Sequence, residues 1–137
     1  MCNYGCVHGF EDKARALLAA LEGGVAGDQL RPFFHPAATH IEHPSRVVPA
    51  GRTRDLAAML EASLAGRRLF ASQRYDIRDM ISQAHRVAVR LRWTGVLAQH
   101  LADHRAGSLL HAEVALFLTY DDTGRVLRQE SYDCYPP

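Results

Sequence analysis

At 137 residues, with 47% of them hydrophobic, the chain fits one domain that buries about two-thirds of the surface its unfolded form exposes, so no disulfide or metal staple is required. Sixteen Lys and Arg against fifteen Asp and Glu leave a formal charge of +1, which argues against a nucleic-acid footprint and against a polybasic membrane patch. Three cysteines, an odd number in a chain without a secretory apolar segment or a long apolar run, point to a reducing, cytoplasmic setting.

In chain order, residues 1–9 (MCNYGCVHG) lack periodicity and read as a loose arm. Cys2, Cys6 and His8 fall short of the four ligands of a structural zinc site, and the eight histidines are scattered rather than clustered, so no metal is expected. Ala14, Leu17, Leu18 and Leu21 form the apolar stripe of an amphipathic helix over Glu11–Glu22, stopped by Gly23-Gly24. A short helix restarts with Asp28 as N-cap and ends at His35-Pro36. Thr39 to His43 reads as a strand closed by Pro44, with Thr39, Ile41 and His43 on one face and His40 and Glu42 on a polar outer face. A short Val47-Val48 strand precedes a helix capped by Thr53, apolar at Leu56, Met59, Leu60 and Leu64 and ended by Gly66 and Arg67-Arg68. Strand character returns from Leu69, reverses near Gln83-Ala84-His85, and continues through Arg86–Thr94 with Val87, Val89, Leu91 and Trp93 inward. Gly95 marks a bulge or bend. Arg90 and Arg92 face outward, where Glu113 and Glu130 are their expected partners.

The hairpin His111–Tyr135, turning at Asp121-Asp122-Thr123-Gly124, carries the functional signal. Opposing Tyr120 to Arg125 puts Val114, Leu116, Leu118 and Tyr120 on one face with Leu127, Gln129, Ser131 and Asp133. A carboxylate on so apolar a face needs a partner or a cavity, because burying it alone costs several kcal/mol. The other face carries His111, Glu113, Ala115, Phe117 and Thr119 against Val126, Arg128, Glu130, Tyr132 and Cys134, a mixed surface suited to water or a partner.

The order helix, short helix, strand, helix, then a meander resembles the nuclear transport factor two-like superfamily, and within it the SnoaL-like proteins. Carrying the resemblance are Gly27-Asp28-Gln29-Leu30, Phe34-His35-Pro36-Ala37-Ala38, Ile41-Glu42-His43-Pro44, Gly51-Arg52, Trp93-Thr94-Gly95, and Asp121 through Val126 to Tyr132-Asp133. It implies an α+β cone-shaped barrel of cystatin-like type. A strongly bent, mixed, mostly antiparallel sheet would wrap around three N-terminal helices, in a single domain over residues 1–137. The first strand would lie beside the last, bringing His43 to Asp133. In ketosteroid isomerases, which look similar, the residue before the proline of the first strand is the general base; here it is His43. Their oxyanion donors fall near Ala20 and at Leu116, neither of which can donate, so steroid isomerisation by that route is not implied. The Arg and paired Asp of limonene epoxide hydrolases are not evident.

The expected site is thus a His43/Asp133 general-base pair in a pocket lined by Trp93, Gln129, Ser131, Tyr120, Leu91, Leu116, Val114 and Tyr75. It would need no cofactor and no metal and would act on a small hydrophobic carbonyl compound, as a polyketide cyclase or isomerase does. The alternative is a non-catalytic ligand-binding or dimerisation domain of the same fold. In either case the outer sheet face would form a homodimer, with neither nucleic acid nor membrane as partner.

Overall fold

The computed structural model describes the backbone of residues 3–137 and the side chains from Gly9 onward. Two α-helices, a 3-10 helix and six strands follow in the order α1 (Asn3–Glu22), 3-10 helix (Gly27–Phe33), β1 (Phe34–Glu42), β2 (Arg52–Asp55), α2 (Leu56–Leu69), β3 (Phe70–Gln83), β4 (Arg86–Leu97), β5 (Leu109–Tyr120) and β6 (Val126–Cys134). The strands form one sheet in the order β2-β1-β6-β5-β4-β3, antiparallel except for the β1/β6 pair. This is the expected α+β architecture: one curled, mixed sheet with the helices packed on its concave face. Among the described residues, no helix is long and apolar enough to cross a membrane.

The core lies between helices and sheet. Ala14, Leu17 and Leu18 of α1, Leu30, and Leu56, Met59 and Leu60 of α2 meet Val87, Val89 and Leu91 of β4 and Leu116 and Leu118 of β5. Both predicted stripes are therefore the buried ones. The stop after α1 is also as expected. Gly24 takes a positive φ of 85°, and the N–H of Val25 donates to the Ala20 carbonyl at 3.0 Å, satisfying the helix end.

Several boundaries differ from the sequence reading. Helix α1 runs back to Asn3, so the loose arm at 1–9 gives way to helix over Asn3–Gly9; glycines at 5 and 9 weaken a helix by about 1 kcal/mol each without stopping it. Met1 and Cys2, and the side chains of Cys6 and His8, lie outside the described residues. The 3-10 helix is capped by Ala26, with Asp28 inside its first turn and paired to Arg31 at 2.8 Å. Strand β1 starts at Phe34, because a strand tolerates Pro36 where a helix does not. Val47-Val48 is a turn, and the extra strand is Arg52–Asp55, opposite Thr39–Glu42. Asp55, rather than Thr53, caps α2, its carboxylate accepting from the Ala58 N–H at 2.9 Å. Gly66 lies within α2, which ends at Leu69.

The long strands match better. The β3/β4 reversal falls at Ala84-His85, and the Asp121–Gly124 turn closes on the Asp121 side chain, which accepts from the N–H groups of Thr123 and Arg125 at 2.8 and 3.0 Å. The β5/β6 register is displaced by two residues from the one expected: Leu116 opposes Ser131 and Leu118 opposes Gln129. A shift of two preserves faces, so the side assignments survive. The exception is next to the turn, where an irregularity between Thr119 and Tyr120 turns Val126 inward and leaves Leu127 exposed, the reverse of the alternation read from sequence. Gly95 carries no register break. A Cβ there would come within 2.6 Å of the Trp93 ring and 2.8 Å of the Phe70 ring, so the glycine makes room for two aromatics.

Candidate functional site

Cross-strand pairing sorts the interior into rows. The first runs from Arg54 through His40, Gln129 and Leu118 to Val87; the second from Arg52 through Glu42, Ser131 and Leu116 to Val89. The third holds Asp133, Val114, Leu91 and Ile77, and the fourth Ala112, Trp93 and Tyr75. Partners in a row share a face. Asp133, Ser131, Gln129, Val114, Leu116, Leu91, Trp93 and Tyr75 are therefore brought together on the concave side, as the alternation required.

His43 is not with them. The N–H of His43 donates to the Ser131 carbonyl at 3.0 Å, and the parallel register sets Glu42 beside Ser131, so His40 and Glu42 point inward and His43 points out. On the convex face its Nε2 lies 2.6 Å from Glu130 Oε2 and its ring stacks on Tyr132, centroids 4.0 Å apart and 6° from parallel. The expected His43/Asp133 pair does not exist: the two groups are on opposite sides of the sheet. Ile41 misled the assignment of faces. The true inner set is marked by Phe34 and Ala38, which are 4% and 1% exposed; alternation from Ala38 continues through His40 to Glu42.

Tyr120 also leaves the set. It is inward and buried but stands six residues along β5 from Val114, about 20 Å from the Asp133 row, where its ring stacks on Phe10 with centroids 5.2 Å apart. Among the described residues its hydroxyl has no hydrogen-bond partner, and burial pushes the phenol above its ordinary value.

What surrounds Asp133 instead is a polar cluster at one end of the concave face. Burial, and after it the Glu42 carboxylate, pushes the Asp133 carboxyl above its ordinary value. Glu42 is held by Arg54, with Arg52 at 3.7 Å, so the half-buried acid there has its counter-charge. Burial holds the His40 imidazole below its ordinary value, opposed by Glu42 and reinforced by Arg54 and Arg52. Two phenols complete the cluster. Tyr75 is pushed up to about 12 by burial and then by the charges of Asp133 and Glu22. Tyr135, just past β6, is pushed up to about 12 by burial and then by Asp133 and Glu42. The Trp93 indole N–H donates to Gln73 Oε1 at 3.0 Å, and the Tyr75 hydroxyl donates to the same oxygen at 3.3 Å.

Sequence reasoning thus missed His40, Glu42, Arg54, Tyr135 and Gln73. The parity of Phe34 and Ala38 was the available signal for the first two. No group of three or more His, Cys, Asp or Glu among the described residues is arranged to hold a metal ion.

No family model and no curated protein matches the sequence. Solved structures do match in shape. AclR from Streptomyces galilaeus, a candidate hydroxylase, superposes with a TM-score of 0.76 at 14% identity, over 93% of this chain and 90% of that one. IdmH from Streptomyces antibioticus, a candidate polyketide cyclase, gives 0.73 at 19% identity, over 90% and 91%. A SnoaL-like polyketide cyclase candidate from Jannaschia sp. CCS1 gives 0.70 at 16%, over 93% and 87%. At these identities the likeness is one of fold: the chain shares the fold of the solved SnoaL-like polyketide cyclase candidates.

Proposed function

We propose that the chain is a cofactor-independent acid–base enzyme acting on a hydrophobic carbonyl compound, of polyketide cyclase or isomerase type, with Asp133 as the base. One observation carries the reading: a half-buried carboxyl of raised proton affinity faces two phenols whose protons are held to about pH 12. Asp133, as carboxylate, takes the proton α to the substrate carbonyl, and the electron pair moves onto the carbonyl oxygen. Tyr135 donates a hydrogen bond to that enolate, the Tyr75 hydroxyl being engaged by Gln73 Oε1. The enolate carbon then attacks a second carbonyl or is reprotonated by the carboxyl of Asp133. A positioned base contributes about 10² to 10⁴ in rate and an oxyanion donor about 10² to 10³. Val114, Leu91, Leu116 and Trp93 supply the apolar wall that makes the carboxylate basic. His40, Glu42 and Arg54 set the field around it as positioning groups. We place the reaction in the cytoplasm on the odd cysteine count.

The test is deuterium exchange at the methyl group of a hydrophobic methyl ketone, 6-methoxy-2-acetylnaphthalene, followed by NMR in D₂O. Wild type should exchange it faster than buffer and Asp133→Asn should not; equal exchange by both would end the proposal.

A second reading concerns association. The convex face exposes Phe117 and Tyr132 at 44% and 45% and Ile81 at 67%, and Phe117 and Ile81 line a hollow of about 500 Å³ together with Arg86, Arg128 and Glu130. An apolar band rimmed by both signs of charge fits a second copy of the same face. We propose that the protein is a homodimer through this surface. Sedimentation should give a dimer for wild type and a monomer for Phe117→Lys; a wild-type monomer at high concentration rejects it.

A further inference from the structure

A cavity of about 350 Å³ opens beside the Asp133 cluster, between the end of α1, the last turns of α2 and the first half of β3. Gln73 and Tyr75 belong to both places: they line the cavity, and Tyr75 feels the Asp133 charge. The walls are made largely of small residues, Gly23, Gly24, Ala62, Gly66 and Ala71 among them, with the Arg67 guanidinium also at the wall and donating to the Gly24 carbonyl at 3.4 Å. Its volume equals that of roughly a dozen waters, enough for a ring-sized fragment.

The polar groups of this cavity are not symmetric. Oε1 of Gln73 already accepts from the Trp93 indole and from the Tyr75 hydroxyl, which fixes the side chain and its amide orientation. The Gln73 amide nitrogen, with its two protons, is therefore the end left to face a ligand. Trp93 is in turn immobilised by Phe70, edge-on at 5.2 Å and 84°, and by the missing Cβ of Gly95. Glu22 Oε1 is consumed by the Tyr75 N–H at 2.8 Å. What a molecule entering the cavity meets on the side of Asp133 is a preset hydrogen-bond donor.

We propose that this cavity is a second compartment of the substrate site and that Gln73 determines specificity there. It would take a flat ring bearing an oxygen acceptor, a keto or ether oxygen, one ring away from the carbonyl that reacts at Asp133. The ligand class is accordingly a planar compound oxygenated at both ends. This rests on the acid–base reading only in placing the reacting carbonyl at Asp133.

The experiment uses the one tryptophan of the chain, Trp93, as reporter. Quenching of its emission is titrated with 2-acetylnaphthalene, which has a single oxygen, and with 6-methoxy-2-acetylnaphthalene, which adds an acceptor at the far end. Wild type should bind the methoxy ketone about threefold to tenfold more tightly, the range of one hydrogen bond. Gln73→Glu keeps an acceptor for Trp93 and Tyr75 but loses the donor. It should abolish that preference, the two ketones then binding alike, with the fold intact by circular dichroism. Equal affinities in wild type, a preference surviving in Gln73→Glu, or no binding of either ketone would overturn the assignment. Because binding is read without turnover, methoxy preference with no deuterium exchange would fail the acid–base reading alone. Exchange without methoxy preference would fail this one alone.

Discussion

Glu130 and Asp133 stand three residues apart on one strand, and the fold treats them in opposite ways. Glu130 faces out, where the His43 imidazole, and after it Arg128, hold its carboxyl below its ordinary value. Asp133 faces in, where burial and a second carboxylate raise it. Odd spacing on a pleated strand separates them by the thickness of the sheet. The comparison teaches that proximity in sequence says little about shared chemistry, and that the face decides whether a carboxyl holds its proton more loosely or more tightly than usual.

The sharpest way to break this contrast is to remove the inner carboxylate. Asp133→Asn should reduce ketone exchange by about 10² to 10⁴ while leaving the fold intact by circular dichroism. Activity unaffected by that change would make the inner face as inert as the outer one.

Neighbouring residues on β5 sharpen the comparison in stability. Leu118 has no exposed surface and packs in the core, whereas Phe117 is 44% exposed on the other side. Leu118→Ala should cost about 2 to 5 kcal/mol in denaturant unfolding. Phe117→Ala should cost about 1 kcal/mol or less in the monomer, with any larger loss dependent on protein concentration. Similar costs at the two positions, independent of concentration, would contradict the faces.

Alternation on β4 and β5 was legible because each strand alternates strongly: Val87, Val89 and Leu91 on one, Leu116 and Leu118 on the other, all buried as read. The helical stripes of α1 and α2 were legible for the same reason. Strand β1 was not. Its inner face carries Ala38, His40 and Glu42 and its outer face Thr39, Ile41 and His43, so hydrophobicity votes for the wrong side. The half-buried Glu42 finds its counter-charge in Arg54, which arrives from β2, and a four-residue strand of sequence RTRD gives little periodic signal of its own. Asp133 was found because its strand pairs with the strongly patterned β5; His40 and Glu42 were missed because β1 has no such pattern. The turn-proximal irregularity that inverts Val126 and Leu127 was equally invisible, since a bulge changes parity without changing composition.

A smaller effect tests the reassignment of His43. His43→Ala removes the contact with Glu130 and the ring stack on Tyr132, both at the surface, and should cost about 1 kcal/mol. It should leave ketone exchange within about twofold of wild type, as expected for a group separated from the reacting atoms by the sheet. A loss approaching that of Asp133→Asn would return His43 to the site.

The smallest effects are those of pH on the two acids, and they should have opposite sign. Glu130 is lowered in the folded state, so its contribution is present above the ordinary carboxylate pKa and is lost as pH falls through the lowered folded value. Glu130→Gln should therefore be less stable than wild type at pH 7, and the gap should close in acid. Asp133 is raised, so the folded protein holds its proton more tightly than the unfolded chain, and stability declines as pH rises from the unfolded to the folded value. Asp133→Asn, free of that charge, should be more stable than wild type at pH 7, and its advantage should also vanish in acid. Denaturant midpoints of both variants at pH 7 and near pH 3 separate the two cases. If both variants lie on the same side of wild type at pH 7, the carboxyl groups share an environment and the division between faces fails.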